Sequence, residues 1–378
     1  MIRIKVSVLK EALTSVSATI SSNPVREVLG AVLITMKDGN MSLQSTNIDA
    51  STIVTINECQ GDNEQFYIQH AELVAIVNSY KPDEQLELSI LLNSNTDYLI
   101  ITKGKSTAKI QLLSVKDAPE FILLEGGDSV TFTKEVLLTA IEKTKICMYV
   151  SNTRYNIHGL HFDIQKDAET VNVVATDGSR LAFYKVEEFI SSIEKDIKIT
   201  IPYAITHSIY RLLKNANSEV TMSIDENKTR VQINFGGVIL TTKLIDAEFP
   251  DYIRVMPKEY STYFTCNTVE IIKTLKEVGA IYNNTPSGTQ RIDLNISNNA
   301  IKFTCSKGVN QTTAEIICQT EITDMLVVAN IDYLIECLSL ISTKECIVHV
   351  KMQEPMIIRG ISLDGKVGVK YIVMPMKV

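Results

Sequence analysis

The chain has 378 residues, 45% of them hydrophobic and 21% charged, with a formal net charge of −7. That composition suits a folded globular protein of two or three domains and excludes a disordered one. The acidic balance argues against a generic basic nucleic-acid binder, but not against a protein that gathers its few cations on one face.

Along the chain, Leu9, Ala12, Leu13 and Val16 predict an amphipathic helix over 7–20, after a short strand. MSLQSTNIDASTIVTI (41–56) alternates and turns at Thr46-Asn47, a hairpin pattern. FYIQHAELVAIVNSY (66–80) is a strand running into a helix over 70–81, and TDYLIITKGKSTAKIQLL (96–113) is a late hairpin. The same order then recurs. A helix over 134–149 precedes the hairpin VNVVATDGSRLAFYKV (171–186), which turns at Thr176-Asp177-Gly178. ITIPYAITHSIYRLL (199–213) leads into a helix over 203–216 with Ile205, Ile209 and Leu212 on one stripe, and TRVQINFGGVILTTKLI closes the series. The last third repeats it with a helix over 268–282, the hairpin IKFTCSKGVNQTTAEI (301–316) turning at Ser306-Lys307-Gly308, a helix over 330–341 and the hairpin PMIIRGISLDGKVGVKYIVM.

The three early hairpins start 130 residues apart, twice, and Ile68, Ile201 and Val328 are spaced by 133 and 127. Two triples at one period predict a threefold internal repeat. Each third should hold two helices packed on antiparallel sheets, an α+β fold. The similar Pro-, Gly- and Asp-rich stretches 113–128 and 243–260 read as linkers. They give expected domains over 1–125, 126–253 and 254–378.

Chemistry is sparse. The seven Cys include no CxxC, so reduced thiols are expected, with neither a disulfide frame nor a zinc site. No stretch reaches the ~20 apolar residues of a membrane span, and the charged start MIRIKVSVLKEAL lacks a signal-peptide core, so a cytoplasmic protein is expected. His158 and His161 fall on opposite faces of a predicted strand, a poor arrangement for one metal. Asp177 and Ser179 could suggest an acid beside a nucleophile, but hairpin chemistry explains the same residues, and a non-catalytic protein without metal or cofactor is expected. The six helical segments carry a net +1, leaving −8 for the rest. Lys134, Lys143, Lys145, Arg211 and Lys214 are the candidate cations of a DNA-facing surface, or simply a solvated helix face. The apolar end Tyr371–Val378, with Met374 and Met376, is either a docked strand or an adaptable binding surface.

ATDGSRLA (175–182), EFPDYIRVMP (248–257) and the terminal YIVMPMKV resemble signature segments of the bacterial DNA polymerase III beta subunits, the sliding clamps. VLGAVLITMKDGNMSLQSTNID and RYNIHGLHF (154–162) extend the resemblance over the whole chain, in order. It implies three clamp-type domains per chain and a head-to-tail homodimer closed into a six-domain ring around duplex DNA. The DNA would be held without reading sequence, through few and salt-sensitive phosphate contacts. DNA-facing residues would include Asn23, Arg26, Arg154 and Tyr155 beside the five cations above. The resemblance also implies a cleft for short linear peptides of the replicative polymerase, the clamp loader and repair proteins. Its residues here would be Ile157, Thr176, Gly178, Ser179, Arg180, Leu181, Pro250, Arg254, Val255, Asn330, Tyr333, Met356, Ile358, Ile372, Val373, Met374, Pro375 and Met376. Leu181, Val255 and Ile372 would form apolar walls, the methionines would repack around different peptides, and Arg180 and Arg254 would bind peptide carbonyls or a carboxylate. The dimer contact would involve the edge strand Lys103–Ile110, with Lys105, Ala108 and Ile110, and Ile281 and Tyr282 of the last third. Asn23 stands where a basic residue is common, Ser179 where His is usual, Ala108 where an aromatic is frequent, and Lys377-Val378 ends the chain where a basic residue plus Leu is usual. The implied site of action is the nucleoid in a bacterial cytoplasm. A clamp-like peptide-binding protein that does not encircle DNA is the alternative, and an enzyme using Asp177 and Ser179 a third.

Overall fold

Val6, Leu9, Ala12, Leu13 and Val16 form the buried stripe of helix α1, Val6–Val16, because their spacing returns each to one face. The computed structural model describes all residues except Ser22, Glu58, Ser94, Asn95, Ile122, Glu125, Glu259, 284–289, 362–367 and Val378. The other expected helices are α2 (His70–Asn78), α3 (Lys134–Thr144), α4 (Tyr203–Asn215), α6 (Thr268–Gly279) and α7 (Ile331–Ser339). One further short helix, α5 (Tyr252–Val255), lies inside the expected linker 243–260. Asn267 and Asn330 cap α6 and α7, each accepting a backbone N–H of the first turn on its side-chain oxygen.

Every strand pairs antiparallel with its neighbours, and the three early hairpins are Asn40–Thr46 with Ala50–Ile56, Thr170–Thr176 with Arg180–Val186, and Ala300–Lys307 with Asn310–Ile317. Part of the final hairpin, 362–367, lies outside the described residues. By contacts the chain forms two compact units, and the division does not follow the thirds. One comprises Met1–Leu137, Phe189–Glu194 and His207–Leu244, and the other Leu138–Glu188, Lys195–Thr206 and Ile245–Val378.

The first unit holds a four-stranded sheet in the order Ile2–Lys5, Gln85–Leu91, Tyr98–Lys103, Ser106–Gln111. Its nine-stranded sheet runs Ile190–Ser191, Asp128–Phe132, Val220–Ile224, Arg230–Phe235, Val238–Lys243, Ala50–Ile56, Asn40–Thr46, Ala31–Lys37, Glu64–Gln69. Strands of the first and middle thirds meet in it, with Val238 opposite Val54 and Thr242 opposite Ala50. Val115, Ala118 and Phe121 of the first linker pack on Ala31, Leu33 and Tyr67.

The second unit repeats the plan. Its nine-stranded sheet runs Ile197–Pro202, Gly159–Gln165, Thr170–Thr176, Arg180–Val186, Lys370–Val373, Met356–Gly360, Glu345–His349, Tyr263–Asn267, Gln319–Thr320. Here strands of the middle and last thirds meet, with Arg180 opposite Val373 and Phe183 opposite Lys370. Its four-stranded sheet runs Asn310–Ile317, Ala300–Lys307, Arg291–Ser297, Met325–Asn330.

Candidate functional site

Period-two alternation sorts the second nine-stranded sheet into two faces. His161, Asp163, Asn172, Val174, Leu181, Phe183, Ile357, Lys370 and Ile372 share one of them through their cross-strand registers. The second linker lies on this face. Phe249 stacks on His161 with ring centroids 4.3 Å apart and planes 8° apart. Tyr252 is buried among Ile157, Val174, Leu181 and Ile372, with Met256 packed beside them. Its hydroxyl donates to Asp163 Oδ2 at 2.6 Å and accepts from Asn172 Nδ2 at 3.1 Å. Burial and the Asp163 carboxylate push the Tyr252 pKa up, so the phenol keeps its proton and its bond. These bonds fix α5 to the sheet, and Asp251 caps it while pairing with Arg254 at 2.9 Å.

Between α5 and the Thr176–Arg180 turn lies an open hollow of about 290 Å³. Of the residues the resemblance assigns to a cleft, Ile157, Thr176, Gly178, Arg180, Leu181, Pro250, Val255, Ile372 and Met374 line it. Arg154, Asn156, Phe249 and Tyr252 line it too. The turn is held internally. Thr176 Oγ1 donates to the Arg180 carbonyl and accepts from Gly178 N–H, while Asp177 Oδ1 accepts the N–H groups of Ser179 and Arg180. Gly178 has φ +89°, the left-handed region glycine favours.

Several expected residues have other work. The Arg180 guanidinium donates to Asp177 Oδ2, Glu336 Oε2 and the Ile146 carbonyl, and stacks over Tyr333 at 4.4 Å. It therefore builds the wall, and Arg254, exposed on α5, is the guanidinium presented outward. Asn330 caps α7, and its side chain is engaged there. Met356, Ile358 and Val373 are fully buried on the opposite face of the sheet, because they alternate with Ile357 and Ile372. They belong to the core. Ser179 is exposed at the turn, and Pro375 and Met376 are half-buried in the tail, where Met376 N–H donates to the Val328 carbonyl. Asp177 is engaged by the turn and by Arg180, which explains the pair Asp177 and Ser179 without catalysis.

The equivalent joint in the first unit differs in chemistry. The strand registers put Ser51 where the hollow has Leu181, and Thr241 where it has Ile372. Lys243 takes the place of Met374 and pairs with Asp49 at 2.8 Å. The two joints share a backbone plan, yet the apolar floor exists at one of them.

Of the expected DNA-facing residues, Arg154 sits at the rim of the hollow beside Gly178, and its guanidinium lies over Tyr149 at 5.5 Å. Lys134 Nζ donates to the Lys214 carbonyl at the end of α4, and Lys143 Nζ to the Leu340 carbonyl at the end of α7. Both ammonium groups serve helix C-termini, where the last carbonyls lack partners. Lys145 is half-buried. Arg211 and Lys214 are exposed on α4, with Lys214 over the Tyr210 ring, Asn23 and Arg26 are exposed on a loop, and Tyr155 is exposed at the start of the short 3-10 helix Tyr155–Ile157. Of the expected dimer residues, Lys105 is exposed, Ala108 and Ile281 half-buried, and Ile110 and Tyr282 buried within the fold. Tyr282 donates to the carbonyls of Arg291 and Ser306.

His158 and His161 each have a protein partner. His158 Nδ1 lies 2.8 Å from the Tyr149 carbonyl, and His161 Nδ1 lies 3.0 Å from Thr200 Oγ1. Burial holds the His161 pKa down to about 4, against an ordinary 6.5. Above pH 6.5 both folded and unfolded forms are neutral there, so stability is unaffected. Below it the unfolded chain takes up a proton that the folded chain refuses, so stability falls toward pH 4, by about 3 kcal/mol at the limit. His161→Leu should gain melting temperature relative to the unsubstituted protein as pH drops from 7 to 4.5. Parallel pH profiles would contradict this role for His161.

Among the described residues, no helix is long and apolar enough to cross a membrane, and no three His, Cys, Asp or Glu side chains gather as a metal site.

Models of the DNA polymerase III beta subunit match the chain in series: the N-terminal domain at 1–122, the central domain at 131–251 and the C-terminal domain at 253–377. Proteins named beta sliding clamp are similar at 25% identity from Proteus mirabilis and 23% from Escherichia coli K12, each over 98% of this chain and 97% of theirs. A Caulobacter crescentus beta sliding clamp superposes with a TM-score of 0.91 at 22% identity, covering 100% of this chain and 98% of that one. A Pseudomonas aeruginosa sliding clamp bound to griselimycin gives 0.90 at 20% identity, covering 100% and 99%.

Proposed function

The chain belongs to the DNA polymerase III beta subunit family, and on that premise we propose that it is a DNA sliding clamp. It is a non-catalytic processivity subunit that encircles duplex DNA and holds the replicative polymerase to it. We divide it into domains 1–125, 126–253 and 254–378, near the limits of the three matched models.

One observation carries the reading, the rule by which the repeats join. Each internal joint pairs the last strand of one repeat with the fourth strand of the repeat before it. Val238–Lys243 takes Ala50–Ile56, and Lys370–Val373 takes Arg180–Val186. Among the described residues, two strands of these kinds end their sheets without a neighbour: the last of the first repeat, Ser106–Gln111, and the fourth of the final repeat, Asn310–Ile317. They are the two halves of a third joint. A second copy, head to tail, supplies the missing half at each end, and two such joints close a ring. Val309 in the turn before that strand and Ile317 at its end are exposed apolar side chains.

Within the ring, DNA contacts fall to outward cations such as Arg211 and Lys214, few enough for sliding and sensitive to salt. Partner peptides dock in the hollow beneath α5, with Leu181, Val255 and Ile372 as walls and Met374 as an adaptable edge. Polymerase, clamp loader and repair proteins would share this one hollow in turn. Work on the chromosome would place the protein at the bacterial nucleoid. Sedimentation across concentration tests the joint: a monomer–dimer equilibrium supports the ring, whereas a strict monomer at micromolar concentration favours a peptide-binding protein that does not encircle DNA.

A further inference from the structure

A second hollow, of about 330 Å³, adjoins the one beneath α5 and shares Ile372 with it. Its floor is Ile357 and Ile372, paired across neighbouring strands and both 2% exposed. Ile253 and Met256 wall it from α5 and the residue that follows. Lys258 and Lys370 stand at its rim. Arg359 is opposite Lys370 in register, so a third cation shares that face of the sheet. In a chain of net charge −7, three cations beside one apolar floor are out of pattern.

We propose that this second hollow is a subsite for an acidic, aliphatic flank of the partner peptide. An aliphatic side chain covers Ile357 and Ile372, and an Asp or Glu carboxylate meets Lys258 and Lys370. Two features favour a peptide flank as occupant. The floor is continuous with the first hollow through Ile372, so a chain anchored there reaches the second by crossing α5. The rim is cationic above an apolar floor, the complement of a short acidic and aliphatic sequence. The inference rests on the peptide-docking reading of the first hollow.

The test uses labelled synthetic peptides with a Leu–Phe anchor pair and, a few residues to either side, Leu-Asp-Asp or Leu-Asn-Asn. Binding to the full chain is read by fluorescence anisotropy. The Asp peptide should bind about tenfold more tightly than the Asn peptide, a ratio that two partly exposed ion pairs can supply. Raised salt should erase the difference. Lys258→Gln and Lys370→Gln should each remove much of it while leaving the Asn peptide unaffected. Lys258 is exposed, so its replacement does not endanger the fold. Equal binding of the two peptides would overturn the subsite and leave the first hollow standing. Failure of both to bind would overturn the docking reading itself. Displacement of the Asp peptide by a single-stranded oligonucleotide would assign the lysines to phosphate and also overturn the subsite.

Discussion

Deletion of residues 374–378 is expected to abolish stimulation of a polymerase while leaving the dimer intact. Met374 lines the hollow beneath α5, and its N–H donates to the Ser179 carbonyl at 2.9 Å. Met376 N–H donates to the Val328 carbonyl at 2.8 Å, which ties down the rest of the tail. Val378 lies outside the described residues. Without the tail the hollow loses one wall, and the turn at Ser179 loses its tether. Losing one apolar wall of a docking hollow costs about 2 kcal/mol, so partner peptides should bind roughly 30-fold more weakly. The fold should lose only the two tail hydrogen bonds, each worth about 1 kcal/mol. Primer extension on a primed circle, with sedimentation of the same variant, separates the two effects. Stimulation that survives the deletion would show the hollow is not where the polymerase docks.

The second large effect belongs to the ring joint. Thr313 is exposed on the strand Asn310–Ile317, at the repeat position of Ile53 and Phe183, which both pair with the joining strand in the internal joints. If that strand stays free, Thr313→Pro removes an N–H that points away from Ala300–Lys307, a small change on an edge strand. If it pairs with Ser106–Gln111 of a second copy by the rule of the internal joints, the Thr313 N–H meets the incoming strand at the place of Ile53 and Phe183, and proline takes that donor away. A carbonyl of the partner strand then loses its donor at about 1–3 kcal/mol in each of the two joints, so the dimer dissociation constant should rise about 100-fold. Melting of the isolated chain should barely move, and DNA retention should disappear. Sedimentation of the variant and its parent gives the answer. An unchanged dimer constant would mean that the joint does not use this edge.

What could be read from the sequence follows from period. Helices and hairpins repeat every 3.6 or 2 residues, so six of the seven α-helices among the described residues and all three early hairpins were legible from spacing alone. Helix α5 was not, because Pro250 and Asp251 look like linker chemistry, and its stability comes from Tyr252 bonded to Asp163 and Asn172. The hollow was legible in part. Its floor residues Leu181 and Ile372 fall in segments that resemble the family, whereas Phe249 and Tyr252 were missed although EFPDY was in view. Met356, Ile358 and Val373 were assigned to the cleft, yet strand alternation sends them to the far face. Arg180 was expected to face a peptide and instead holds Asp177, Glu336 and Ile146, because burial forces its donors to find partners nearby. Ile110 and Tyr282 were expected at the dimer contact, whereas both are buried in the fold of the single chain. That Asn310–Ile317 ends its sheet could not be found from sequence, since being at a sheet edge is a property of tertiary pairing.

The central claim is that DNA is retained by topology, and one assay reads it directly. The protein is assembled on labelled nicked circular DNA, washed in high salt, and the bound fraction is followed before and after a single restriction cut. The account predicts persistence on the circle and rapid loss once the DNA is linear with free ends. Equal retention on circular and linear DNA would contradict it.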